Sequence, residues 1–214
     1  MLVAGTVGSV QSIADLPFVA GHAALDFVNT AEGRGGPSAG EALNTPADLA
    51  AWGERYGILT AARADTDAAA KLARALSARE LLYAVFLSRV TGRPVSRESL
   101  SRLAGLAAQA YGAGSLRPAG DGSVRWTWPA SDLDSVRHVA VTSALDLLRD
   151  LPDDRIKQCP GDNCGWFFLD ATKRGNRRWC LMSECGQDAK DERRRARRRA
   201  SAASAARPSQ DPRE

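Results

Sequence analysis

Apolar positions recur at helical spacing from Phe18 to about Arg149, and Gly, Pro and hydroxyl residues cut the pattern into segments. Residues 1–17 read as a loose lead or a short strand. In FVAGHAALDFVNT, Leu25 and Val28 fall on one helical face and His22, Asp26 and Asn29 on another. The Gly/Pro-rich stretch 33–40 reads as an exposed, mobile loop. Thr45 before Pro46 is a helix start, a hydroxyl cap ahead of a residue that needs no amide partner. The helix it opens buries Leu49 and Trp52 and stops at Gly57. The longest helix runs from about Thr66 to Val90 with Ala69, Leu72, Leu76, Tyr83, Phe86 and Val90 as its core stripe. Ser96 opens another helix to about Tyr111, with Leu100, Leu103 and Leu106 inward.

Between 115 and 128 the period changes to two around an Asp121-Gly122 turn, which predicts a β-hairpin. Ser131 then caps a helix to about Arg149 carrying Leu133, Val136, Ala140, Ala144 and Leu147. The fold class expected is mainly α: a helical N-terminal domain with one β-hairpin over 15–150, then a small four-cysteine module of hairpin plus basic helix over 155–200. Residues 201–214, poor in apolar bulk, read as a disordered tail.

Arg79 interrupts the apolar stripe of the longest helix, and a cation facing a core needs a carboxylate. The expected partner is Asp26, with His22 or Asn29 adding a hydrogen bond. That group is either a structural pin or a pocket for a small polar effector.

Charge divides the chain more sharply than its net +4 suggests. Residues 1–154 carry 14 basic and 17 acidic groups, whereas 155–199 carry 13 basic and 6 acidic. A separate basic module of this kind points to a polyanionic partner. All four cysteines, Cys159, Cys164, Cys180 and Cys185, lie inside it, as two C-x-x-x-x-C pairs fifteen residues apart. Two ligand pairs brought together by one turn are the arithmetic of a structural Zn²⁺ site, one ion per chain, with no open position for chemistry. An iron–sulfur cluster also accepts four cysteines. No histidine lies in 155–214, which excludes a two-cysteine, two-histidine finger and a nuclease with a histidine base. The N-terminus has no basic leader and no apolar run approaches a bilayer span, so a cytoplasmic protein without a membrane partner is expected.

Phe167-Phe168-Leu169 predicts the apolar side of a hairpin, with Trp166 and Trp179 either its miniature core or platforms for base stacking. Lys173, Arg174, Arg177 and Arg178 fill the loop before Cys180, and Lys190, Arg193, Arg194, Arg195, Arg197 and Arg198 lie on a helix starting near Cys185. Both sets are candidate nucleic-acid contacts. Arg199 completes six arginines in seven residues, which repel one another and would be relieved by phosphates.

CPGDNCGWFFLDATKRGNRRWC followed by Cys185-Gly186 and a basic helix resembles the CGNR zinc finger, a DNA-binding module of bacterial proteins. FVAGHAALDFVNT resembles the opening of the ABATE domain that precedes it. The resemblance covers most of 15–200. It implies a stress-induced transcription regulator, with the four cysteines as zinc ligands and duplex DNA as partner. One departure stands out: the family's name-giving tetrad reads Cys185-Gly186-Gln187-Asp188, so an anion replaces its arginine. The expected function is a DNA-binding regulator whose N-terminal domain senses a ligand or mediates homodimerisation. An RNA-binding or ribosome-associated zinc protein would carry the same charge pattern. An enzyme housed in 15–150 lacks a metal-ligand pair, nucleophile elbow or phosphate loop, and the chain is expected not to be one.

Overall fold

The computed structural model describes residues 12–34, 39–60, 66–150 and 154–205. The first short helix, α1 (Ala23–Val28), is followed by a two-residue pairing of β1 (Ala31–Glu32) with β2 (Gly40–Glu41). Helices α2 (Pro46–Arg55), α3 (Ala68–Val90) and α4 (Arg97–Ala113) come next. The hairpin of β3 (Ser115–Pro118) and β4 (Val124–Thr127) leads into α5 (Asp134–Asp150). The cysteine-bearing segment forms β5 (Ile156–Gln158), β6 (Phe167–Leu169) and α6 (Cys185–Ala205). Each hairpin is a separate two-stranded antiparallel sheet. No helix among the described residues is long and apolar enough to cross a membrane.

Local chemistry sets the helix starts. Thr45 accepts the Asp48 amide while Asp48 returns a bond to the Thr45 amide, a full capping box. Ser96 caps α4 through the Ser99 amide. Gly57 ends the α2 turn at φ +76°, a conformation without steric cost only for glycine. Burial on α3 begins at Leu72 and on α4 at Leu103, so Ala69 and Leu100, both expected inward, stand exposed in or near the first turns. The helix read from a Ser131 cap starts instead at Asp134, whose amide donates to the Asp132 carboxylate, so Leu133 precedes α5; all five apolar positions read for it are buried.

Two further expectations need correcting. The pairing of β1 with β2 had no period-two signal because each strand has only two residues. Within the stretch 201–214 read as a disordered tail, α6 continues to Ala205. The rest of that tail, most of the 1–17 lead and the centre of the 33–40 loop lie outside the described residues.

One core runs through the molecule. α1 is wrapped by α3, α5 and β6, and a single buried cluster extends from Ile13 to Cys185. Phe167 packs against Tyr83 and Phe86 of α3 at centroid distances of 5.4 and 6.0 Å. Main-chain bonds stitch the same seam, with the Leu169 amide donating to the Ala20 carbonyl at 2.8 Å. The cysteine module is thus seated on the N-terminal helices.

Candidate metal centre and nucleic-acid interface

Each cysteine pair is presented by a tight turn. β5 delivers Cys159, whose amide donates to the Trp166 carbonyl at 2.7 Å, and the Cys164 amide donates to Gly161 at 3.1 Å. The turn passes through left-handed conformations at Asn163 (φ 59°) and Gly165 (φ 70°). A Cβ on Gly161 would lie 2.8 Å from the Cys185 sulfur, so the backbone must pass this close to the ligands. Cys180 and Cys185 flank a second turn, and Cys185 is also the first residue of α6.

The four sulfurs lie within 4.8 Å of one another, with Cys164–Cys180 at 3.5 Å and Cys180–Cys185 at 3.6 Å. Thiolates bonded tetrahedrally to zinc at about 2.3 Å stand roughly 3.8 Å apart, so the donor set fits. None is in a disulfide, and all but the half-buried Cys164 are buried. Hydrogen bonds, from Cys164 first, hold the Cys159 thiol far below its ordinary range, while those involving Cys159 push Cys180 and Cys185 up. Four thiolates this close repel, and a divalent cation relieves that repulsion. The four cysteines form a site for one Zn²⁺. With four protein thiolates the ion would have no open position for chemistry, and its role would be structural, fixing the start of α6 to the two cysteine turns.

The basic loop splits on inspection. Asp170 is buried and is its organiser: its carboxylate takes Lys157 Nζ at 2.7 Å, the Arg177 amide at 2.8 Å, and the Thr172 amide and hydroxyl at 3.0 and 2.5 Å. Burial alone would raise its pKa, but these donors, Lys157 first, hold it well below the usual carboxylate range. Arg177 is a correction to the expected nucleic-acid set. Its guanidinium donates to the carbonyls of Val19, Leu169, Trp179 and Cys180 at 2.9, 3.2, 3.1 and 2.5 Å, and it lies 4.5 Å over the Phe168 ring. All three of its nitrogens are engaged, so it braces the module rather than meeting a phosphate. Lys173, Arg174 and Arg178 are exposed, and Arg178 lies 5.6 Å over Trp179.

Trp179 in turn meets the start of α6, where a Cβ on Gly186 would come within 3.2 Å of the indole. Trp166 is a core residue, 7% exposed. Lys190, Arg193, Arg194, Arg195, Arg197 and Arg198 are all exposed on α6, as is Arg199. Gln187 bonds Asp191 one turn on, and Asp188 occupies the first turn, where a carboxylate suits the helix dipole.

The expected Asp26–Arg79 pair does not form. Arg79 is buried, as its place in the stripe required, but it forks onto Glu41 at 2.6 and 2.7 Å, with Glu80 at 3.0 Å and Thr30 at 3.0 Å. Glu41 arrives from β2, beyond the loop that had no assigned role. Asp26 instead accepts the Ala20 amide at 3.0 Å and the Tyr56 hydroxyl at 3.4 Å. Burial raises its carboxyl to about 6, against partial relief from those bonds.

Asn29 faces another way. Its carboxamide pairs with the main chain of Phe167, donating to the carbonyl at 2.8 Å and accepting the amide at 2.9 Å. His22 is the N-cap residue of α1 and makes no capping bond. Its Nδ1 is buried without a partner, and burial lowers its pKa. The four polar residues therefore serve separate places. Asp170, Lys157 and Glu41 carried weight that sequence reading missed; the Asp170-Ala171-Thr172 turn was the one local signal, an aspartate bonding two residues on.

Residues 21–151 match the family model for ABATE, described as "Putative stress-induced transcription regulator". Residues 155–198 match the CGNR zinc finger. These are regulator and zinc-finger families rather than enzyme families. No curated protein matches the sequence significantly. The first match spans more than half of the chain, and the protein belongs to the ABATE family, with a CGNR zinc finger completing it at 155–198.

Proposed function

We propose that the protein is a DNA-binding transcription regulator whose zinc module holds α6 out as a basic probe for duplex DNA. The observation that carries this is the helix itself. Every residue from Glu192 to Ala202 is exposed, so the arginines at 193–195 and 197–199 stand free of the protein's core. Arg193/Arg197, Arg194/Arg198 and Arg195/Arg199 are like-charged i,i+4 pairs, each costing a few tenths of a kcal/mol, which phosphates would relieve. A free helix of this kind is what the DNA major groove admits, and the exposed Lys173, Arg174 and Arg178 extend the positive charge to its base. Asp188 takes no phosphate in this reading; the downstream arginines supply the charge lost from the family tetrad.

The test is competition between a random-sequence DNA duplex and a structured RNA hairpin at matched salt, with zinc-loaded protein and after chelation. The proposal expects duplex DNA to be preferred and binding to fall when zinc is stripped. A preference for the RNA, or binding indifferent to zinc, contradicts it.

A further inference from the structure

An open surface pocket of about 270 Å³ lies at the end of α2, lined by Phe18, Gly21, Asp26, Arg55 and Tyr56. Its Asp26 carboxylate is 3% exposed and forms no ion pair among the described residues; Arg177 acts on it only through space. A buried carboxylate without a cation is costly unless something else completes it. Phe18 and Tyr56 pack against each other beside it, 5.1 Å between ring centroids, and wall the carboxylate on its apolar side. Behind Tyr56 the stacked Trp52 indole N–H is buried without an acceptor. Arg55 is exposed, held by the Ile13 and Leu16 carbonyls through one nitrogen and lying 4.5 Å over Phe18. Its other two nitrogens make no hydrogen bond among the described residues.

We propose that this pocket binds a small zwitterionic amine, with its ammonium group on Asp26 beside the packed Phe18 and Tyr56 rings and its anionic end toward Arg55. A simple anion would be repelled by Asp26 and a simple cation would leave Arg55 unanswered. The volume falls just below that of pockets for drug-sized ligands and suits a molecule of amino-acid size. Because burial raises Asp26 to about 6, seating an ammonium beside it favours the ionised form, and binding near that pH releases a proton.

The site also has a path to the zinc module. The Ala20 amide that holds Asp26 belongs to the segment whose Val19 and Ala20 carbonyls receive Arg177 and Leu169. On the DNA-binding reading above, occupancy would therefore alter DNA affinity.

The experiment is calorimetry on the zinc-loaded full chain at pH 6, in two buffers of different ionisation enthalpy. The probes are the ω-amino acids from glycine to 6-aminohexanoate, with n-alkylamines and alkanoates of equal length as controls. At least one ω-amino acid should bind ten-fold or more tighter than both controls, with proton release. Asp26→Asn, which keeps an acceptor for the Ala20 amide, should lose at least ten-fold while zinc content is unchanged. Arg55→Gln should remove the preference over the alkylamine. No ω-amino acid outbinding its controls, or affinity unchanged in Asp26→Asn, overturns the proposal. DNA titrations with and without the best binder read the coupling; absence of any DNA binding refutes the role of α6 and leaves the amine site to be decided by the calorimetry alone.

Discussion

Replacing Asn29 by alanine removes a side chain that pairs, donor to acceptor and acceptor to donor, with the main chain of the zinc module. Two hydrogen bonds, at 2.8 and 2.9 Å, go with it, and both Phe167 groups lie on a residue that is 0% exposed. Each stranded buried backbone group costs about 1–3 kcal/mol. Partial hydration of the space left by the carboxamide moderates the sum, so a loss of about 3 kcal/mol is expected, roughly a hundredfold in the folding equilibrium. The assay is urea denaturation at saturating zinc, followed by far-UV circular dichroism, comparing midpoints at unchanged slope. Because β6 lies between the cysteine pairs, zinc affinity should fall as well, read by competition with a chromogenic chelator. A stability loss under about 0.5 kcal/mol, with zinc affinity unchanged, would refute the reasoning.

Glu41→Ala should cost about 2–4 kcal/mol, since it strands a buried Arg79 with only Glu80 and Thr30 left; a thermal melt within experimental error of wild type would contradict this. Cys180→Ser should abolish stoichiometric zinc by elemental analysis and lower the stability of the whole chain, because Phe167 and Phe168 belong to the common core. A mutant that keeps zinc, or an N-terminal half that melts as in the wild type, would oppose that. Asp26 has a folded-state pKa of about 6, raised by burial from 3.8. Its contribution is therefore fully favourable below about 3.8 and is lost as pH rises through about 6. Asp26→Asn should accordingly be more stable than wild type at pH 7.5, by up to about 3 kcal/mol, and the gap should close by pH 4. A gap that widens on acidification would reverse the assignment.

Features encoded within a few residues were legible in the sequence. The hydroxyl cap at Thr45, the stripe of α5, the β3–β4 turn and the paired cysteines are all local, and each stands where its spacing put it. Arg79 announced that it needed an acid, but nothing local identified Glu41, which sits 38 positions away behind a loop. Asn29 and Phe167 are 138 positions apart, and a carboxamide bonding a strand leaves no periodic trace.

Arg177 sits in the string KRGNRR beside Arg178, yet one is spent inside the module and the other is exposed, a division made only by the fold. One sign of the shared core was present: Phe167-Phe168 buries both faces of one strand, which a module of some forty residues could not do alone.

The central claim, that exposed arginines on a zinc-anchored helix bind duplex DNA, is tested most directly by the salt dependence of DNA affinity. The measurement compares wild type with the Arg193→Ala/Arg194→Ala/Arg197→Ala variant, all three positions being exposed on α6. Each phosphate contact contributes a slope of about −0.9 in log affinity against log salt, so the variant should lose about three units of slope and on the order of a hundredfold or more in affinity near physiological salt. An identical slope and affinity in the variant would contradict the account.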